Sequence, residues 1–211
     1  MRNLFSQDSK FMIALNTIAD YILFNLIFLF TCIPVITIGA AKTALYRVMF
    51  DMVDERGNPY KRYFKTFVRE FKTVTPLCLL KDGVIALLFW EFMVVLQVPQ
   101  MPLQKVVLFI LGAVGFLWMI VFSTLFAQVA LFDSTRKQYL HNCLYITLSR
   151  FLRCLLTALM DILPLALFLL DLNLFFLVLP IWGFLYFSVT TNLSVRLWTK
   201  PFEKYIEEMD N

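Results

Sequence analysis

Three carboxylates lie inside strongly apolar stretches of this 211-residue chain: Asp82, Glu91 and Asp161. A charged side chain at the centre of a membrane helix costs roughly 2.5–3.5 kcal/mol, so such groups point to a protonatable or cation-binding site. Glu91, near the middle of its apolar block, is the foremost candidate for that chemistry. A scaffolding role stands beside it, with the carboxyl protonated or bonded to Asn25, Gln97 or a backbone carbonyl. Asp82 follows Lys81, which offsets its charge only if the two side chains meet, since adjacent helix positions diverge. Soluble-type catalysis has no visible machinery: no GxSxG, Walker loop, HExxH or GxGxxG occurs. The single histidine, His141, has no partners at ligand spacing, and the four cysteines read as buried structural thiols. No catalytic residue, metal site or cofactor is expected, and the chain is not expected to be an enzyme.

The elements that must position these carboxylates follow from composition. Hydrophobic residues make up 60% of the chain, charged residues 16%, and the mean hydropathy is +0.75. A soluble domain carries about 25% charged residues, and the apolar residues here come in blocks long enough to cross a hydrocarbon layer ~30 Å thick. The expectation is an all-α integral membrane bundle, a single domain over 1–198 with a cytoplasmic tail at 199–211. Five spans are expected at about 22–41, 76–98, 106–130, 154–170 and 174–193. Residues Ser9–Ala19 read as an interfacial lead-in. Pro34 should kink the first span and Gly39 loosen its inner end. Gly112 and Gly115 should let helices approach closely. Asp171-Leu172-Asn173 is a tight connection, so spans four and five should form an antiparallel hairpin, the fifth interrupted by Pro180 and Gly183. Asp20, Asp133 and Asp171 are expected at helix ends.

Two basic amphipathic interfacial segments complete the pattern. Over Tyr60–Lys72, apolar residues recur at 60, 63, 64, 67, 68 and 71, while Lys61, Arg62, Lys65, Arg69 and Lys72 cover the other side. Such a helix is expected to lie in the membrane plane with its cations on lipid headgroups. The second segment, 133–153, carries Arg136, Lys137, Arg150 and Arg153. Turns are expected at Asp54–Pro59 and Pro99–Pro102.

The net charge is +4, yet the cations flank apolar blocks, which favours anionic lipid over nucleic acid as partner. Sixteen of the nineteen Lys and Arg fall in the 42–81 and 133–153 connections and the tail. The positive-inside rule puts those in the cytoplasm and the N-terminus outside. A re-entrant break at Pro34–Gly39 would instead put the N-terminus inside. No cleavable signal peptide is expected. The stretch Asp82–Phe89 resembles Asp161–Phe168, which suggests parallel repeats relating spans one and two to three and four.

The run Pro34–Tyr46, followed by Tyr60, Phe64–Lys72 and Leu131–Thr135, resembles the YesL-like membrane proteins. Thr37, Gly39, Tyr46, Phe64, Lys65 and Phe67 carry the pattern. Arg56-Gly57-Asn58-Pro59-Tyr60 departs from the Glu-Gly-Tyr usual in the first loop of such families. The resemblance covers nearly the whole chain and implies a multi-pass bacterial plasma-membrane protein without an established activity. It further implies a setting beside carbohydrate uptake, hence an accessory or assembly partner of carbohydrate ABC permease subunits. A small solute transporter or channel using Glu91, Asp82 and Asp161 is the alternative, and a membrane enzyme acting on lipid or glycan a third.

Overall fold

The computed structural model describes residues 10–53, 58–98 and 103–210, with side chains except at 10, 11, 13, 14, 165, 169 and 203–210. All regular structure among them is helical. Two helical stretches, Gln104–Leu131 and Leu172–Phe202, are long and apolar enough to cross a membrane. A third qualifies if Arg136–Ser149 and Phe151–Pro164, bent by 111°, count as one span. That is fewer than the five expected, and the shortfall has physical causes.

The first cause is Pro34. Helix α1 (Lys10–Thr31) absorbs the expected interfacial lead-in and stops before Pro34, which has no N–H and disfavours helix in the residue before it. One turn of 3-10 helix (Val35–Thr37) follows, and α2 (Ile38–Val53) sets off anew. The Thr37 hydroxyl closes the turn by donating to the carbonyls of Thr31 and Pro34. A span over 22–41 therefore does not exist. Asp20 lies mid-helix in α1 rather than at a helix end.

Contacts with α3 (Pro59–Gln97) give the direction of both arms. Along α1, Asp20 accepts from the Tyr60 hydroxyl, Phe24 stacks on Tyr60 at 4.9 Å, and Thr31 meets the Tyr63 hydroxyl at 2.7 Å. Along α2 the order reverses: Gly39 sits against Val74 and Cys78, and Asp51 pairs with Arg62 at 2.8 Å. So α1 runs with α3 and α2 runs against it. The two form a helical hairpin whose tip is Cys32–Thr37 and whose open end lies beside the start of α3. Gly39 does not loosen this structure. A Cβ there would lie 2.8 Å from both Val74 and Cys78 side chains, so its absence lets α3 close in. The stretch expected as a polar connection after Lys42 is instead a central helix, with eleven of the sixteen α2 residues buried.

The second cause is α3. Asn58 caps it by accepting from the Tyr60 and Lys61 amides, and Pro59 occupies its first turn. It runs unbroken for 39 residues, roughly 58 Å at ~1.5 Å per residue. The Tyr60–Lys72 segment is thus no separate helix lying flat on lipid. Its inward side is covered by protein, with Tyr63, Thr66 and Glu70 buried. The apolar second half carries Lys81, Asp82 and Glu91, more charges than either of the two long apolar stretches. The turn at 54–57 and that at 99–102 lie outside the described residues.

Beyond α3 come α4 (Gln104–Phe122), α5 (Leu125–Leu131), α6 (Arg136–Ser149) and α7 (Phe151–Leu170), close to the expected positions. Gln104 donates to the Val95 carbonyl and Trp118 to that of Lys81, so α4 runs antiparallel to α3. Gly115 has only Leu88 nearby at 3.8 Å and Gly112 has nothing within 4 Å, so neither makes the close approach expected. Asp133 precedes α6, and Asp171 caps α8 (Leu172–Ile181) by accepting from the Asn173 and Leu174 amides; both match expectation. A π turn (Trp182–Tyr186) interrupts the fifth apolar block near Gly183, and α9 (Phe187–Asp210) continues past residue 199. Trp198 and Phe202 are buried, so the start of the expected tail belongs to the core.

Three breaks in the helical ladder have a donor aimed at them from elsewhere. Pro76 lacks the N–H that would bond the Lys72 carbonyl, and Arg136 donates to that oxygen at 2.7 Å. Pro164 leaves the Met160 carbonyl free, and the Tyr186 hydroxyl takes it. Asn25, fully buried, donates to the Trp182 and Gly183 carbonyls of the π turn and accepts from the Ser188 amide. Helices in lipid tolerate such breaks when side chains satisfy the freed groups.

The core has a location. Buried apolar side chains gather at the end shared by α2, the first half of α3, α5, α6 and the Val195–Phe202 part of α9. In contrast, no described side chain of 81–98, 103–119 or 159–181 is buried. That half of the bundle is apolar on its outside, a surface that water does not support and lipid does.

Candidate functional site

The two halves meet at a charged cluster. Lys42, one turn into α2, reaches Asp161 of α7 at 2.7 Å, both about one-fifth exposed. Its ammonium also lies 5.1 Å from the centre of the Phe126 ring on α5. Lys81 of α3 approaches the same ring at 5.2 Å and binds Asp82 at 3.0 Å. The Cys78 thiol lies 3.2 Å from the other Asp82 oxygen. Two cations share one aromatic face donor, and each holds a carboxylate, so the cluster is neutral as a whole. Ammonium–ring contacts of this kind contribute about 0.5–2 kcal/mol, more where water is excluded. A cavity of about 130 Å³ adjoins the Lys42–Asp161 pair, lined also by Tyr186, Thr190 and Thr191.

The expected carboxylates therefore divide. Asp161 and Asp82 enter one cluster through Lys42, Lys81 and the Phe126 ring. Glu91 does not. It is exposed on α3 and has no ion-pair or hydrogen-bond partner among the described residues. Asn25, considered as its partner, is committed to the π turn. Sequence reasoning missed Lys42 and Phe126, because Lys42 read as the edge of a polar connection and nothing local sets Phe126 apart from the other rings of its apolar block. The only available signal was a lone lysine directly after an apolar block.

The residues carrying the resemblance build the hairpin rather than a reaction centre. Thr37 closes the tip, Gly39 allows the α2–α3 contact, Tyr46 is buried between helices, and Phe67 packs on the core. Phe64 and Lys65 are exposed. At the core end, Tyr139 donates to the Phe132 carbonyl and accepts from the Ser134 amide at 3.1 Å, closing the loop before α6. Burial pushes its phenol pKa up, which keeps the donor proton in place.

With α1–α3 forming one unit around this hairpin, the outcome of sequence comparison is informative. Residues 21–95 match the model of a family described as a protein of unknown function, DUF624. The match begins within α1 and ends just before α3 does, so it coincides with the α1–α2 hairpin and the long helix. It includes Lys42, Lys81, Asp82 and Glu91 but not Asp161. No curated protein and no solved structure matches the chain.

Proposed function

We propose that this chain is a non-enzymatic accessory or assembly partner of a membrane permease. The YesL-like resemblance suggests a carbohydrate ABC uptake system of a bacterial plasma membrane. One observation carries the reading. Asp161 and Asp82 are spent on lysines inside the molecule, whereas Glu91 stands outward beside Trp90, Leu87 and Val94. A carboxylate facing out of an apolar bundle is stabilised by a donor or cation on a neighbouring span. Permease subunits should co-purify with the chain in mild detergent. Glu91→Leu should cut their recovery about tenfold, equivalent to ~1.4 kcal/mol of binding. Recovery of the chain alone, where a known permease stays intact, sinks the reading.

The hairpin also bears on orientation. The antiparallel pairing of α3 with α4 supports counting the second half of α3 as a crossing. With α4–α5, α7 and α8–α9 this makes four crossings and one re-entrant hairpin, with both termini in the cytoplasm. Arg2 and Lys10 then join the other cations, and only Lys105 of the nineteen lies on the far side. A reporter fused ahead of Met1 should read cytoplasmic, like fusions after 143 and 205, while fusions after 100 and 172 read external. An external signal at Met1 would overturn this topology.

A second reading, a small solute transporter or channel, is favoured by the cavity beside Lys42 and Asp161. Liposomes holding the protein would then pass a solute, and Asp161→Asn would stop it. Flux that survives that change removes Asp161 from any transport path.

A further inference from the structure

The basic side of α3 divides into two populations. Arg62, Lys65 and Arg69 converge with Arg47 of α2 on a pocket of about 180 Å³, whereas Lys61 and Lys72 are exposed and stand outside its lining. Thr66, buried, completes its lining. Two buried carboxylates stand behind these cations. Asp51 pairs with Arg62 at 2.8 Å and Arg47 at 3.5 Å, and Glu70 pairs with Arg69. Asp133, itself exposed, reaches Arg69 at 3.8 Å. Lys65 has no carboxylate partner among the described residues.

Set against Asp51, Glu70 and the exposed Asp133, the four cations leave a net positive charge at the pocket, which a bound anion offsets. The carboxylates behind them fix the guanidinium groups, so the forks are oriented before a ligand arrives. Planar guanidinium forks and an ammonium are the groups that recognise phosphate oxygens. The volume holds several waters, enough for one tetrahedral oxyanion. Phe64 and Val68 flank Lys65 on the outer side of α3 and are exposed. Apolar side chains next to cations suit a helix side that touches the headgroup layer.

We propose that Arg47, Arg62, Lys65 and Arg69 form a binding site for a phosphate group, carried either by an anionic lipid headgroup or by a soluble phosphate. The site is independent of the permease reading, since it involves neither Glu91 nor the Lys42 cluster.

The test uses the full chain in detergent with two probes: inorganic phosphate by titration calorimetry, and phosphatidylglycerol retained from mixed micelles against phosphatidylcholine. Lys65→Glu reverses a charge in the pocket, and Lys61→Glu reverses one outside it. Both positions are exposed, so both variants should keep the wild-type unfolding midpoint. Binding of at least one probe is expected, with about a tenfold loss in Lys65→Glu and at most about twofold in Lys61→Glu. Preference for phosphatidylglycerol with no calorimetric signal identifies the headgroup as the source. Phosphate binding without lipid preference identifies a soluble ligand. Equal losses in the two variants would mean a diffuse basic surface and overturn the site, as would unchanged binding in Lys65→Glu or no binding of either probe.

Discussion

Replacing Asp161 by alanine should destabilise the protein by about 3 kcal/mol, the lower end of the range for breaking a buried ion pair. The lower end applies because both partners keep about one-fifth exposure. The cost arises from the partner left behind: Lys42 would keep a charge at the junction of the core and the apolar half, beside a ring that Lys81 already occupies. A double variant, Lys42→Met with Asp161→Leu, should recover most of the loss, since an apolar pair of similar volume leaves no stranded charge. Unfolding midpoints in one detergent would decide it. A double variant no more stable than Asp161→Ala would show that the pair is not what joins α2 to α7.

Asn25→Leu should cost about 2 kcal/mol. Hydrogen bonds between membrane helices average about 0.6 kcal/mol each, and Asn25 makes three, two to the π turn and one to Ser188 beyond it. The estimate is additive because the freed backbone groups are confined within a helix and cannot turn to new partners. Leucine fills the space but supplies neither donor nor acceptor. Thermal unfolding checks the magnitude, and a variant as stable as the parent would show that the π turn holds without α1. Together the two substitutions separate the ties of the hairpin: α2 is held to α7 by charge, and α1 to the π turn by hydrogen bonds.

Much of the scaffold was legible from local signals. The apolar blocks expected at 106–130 and 174–193 fall inside the two long helical stretches Gln104–Leu131 and Leu172–Phe202, since their length and lack of charge are sufficient. The break at Pro34, the turn at Asp171 and the interruption near Gly183 follow from single residues whose backbone chemistry acts within one helical turn. The basic flanks were equally plain. These are properties of neighbours along the chain.

What lay beyond such reading was every contact between distant segments. Pro34 announces that a helix stops, but not that α2 turns back along α3. That outcome depends on Gly39 admitting Val74 and Cys78, and on Asp51 finding Arg62. Likewise, the prolines at 76 and 164 predict orphaned carbonyls, while only the packed bundle brings Arg136 and Tyr186 to them. The fate of the carboxylates is the sharpest case. Glu91 and Asp161 sit in similar apolar surroundings, yet one faces outward and the other meets Lys42 from 119 positions earlier. Hydropathy records the cost of placing a charge, and that cost is the same wherever its partner comes from. The partner is chosen by which helix faces meet, and helix faces meet only once the chain has folded.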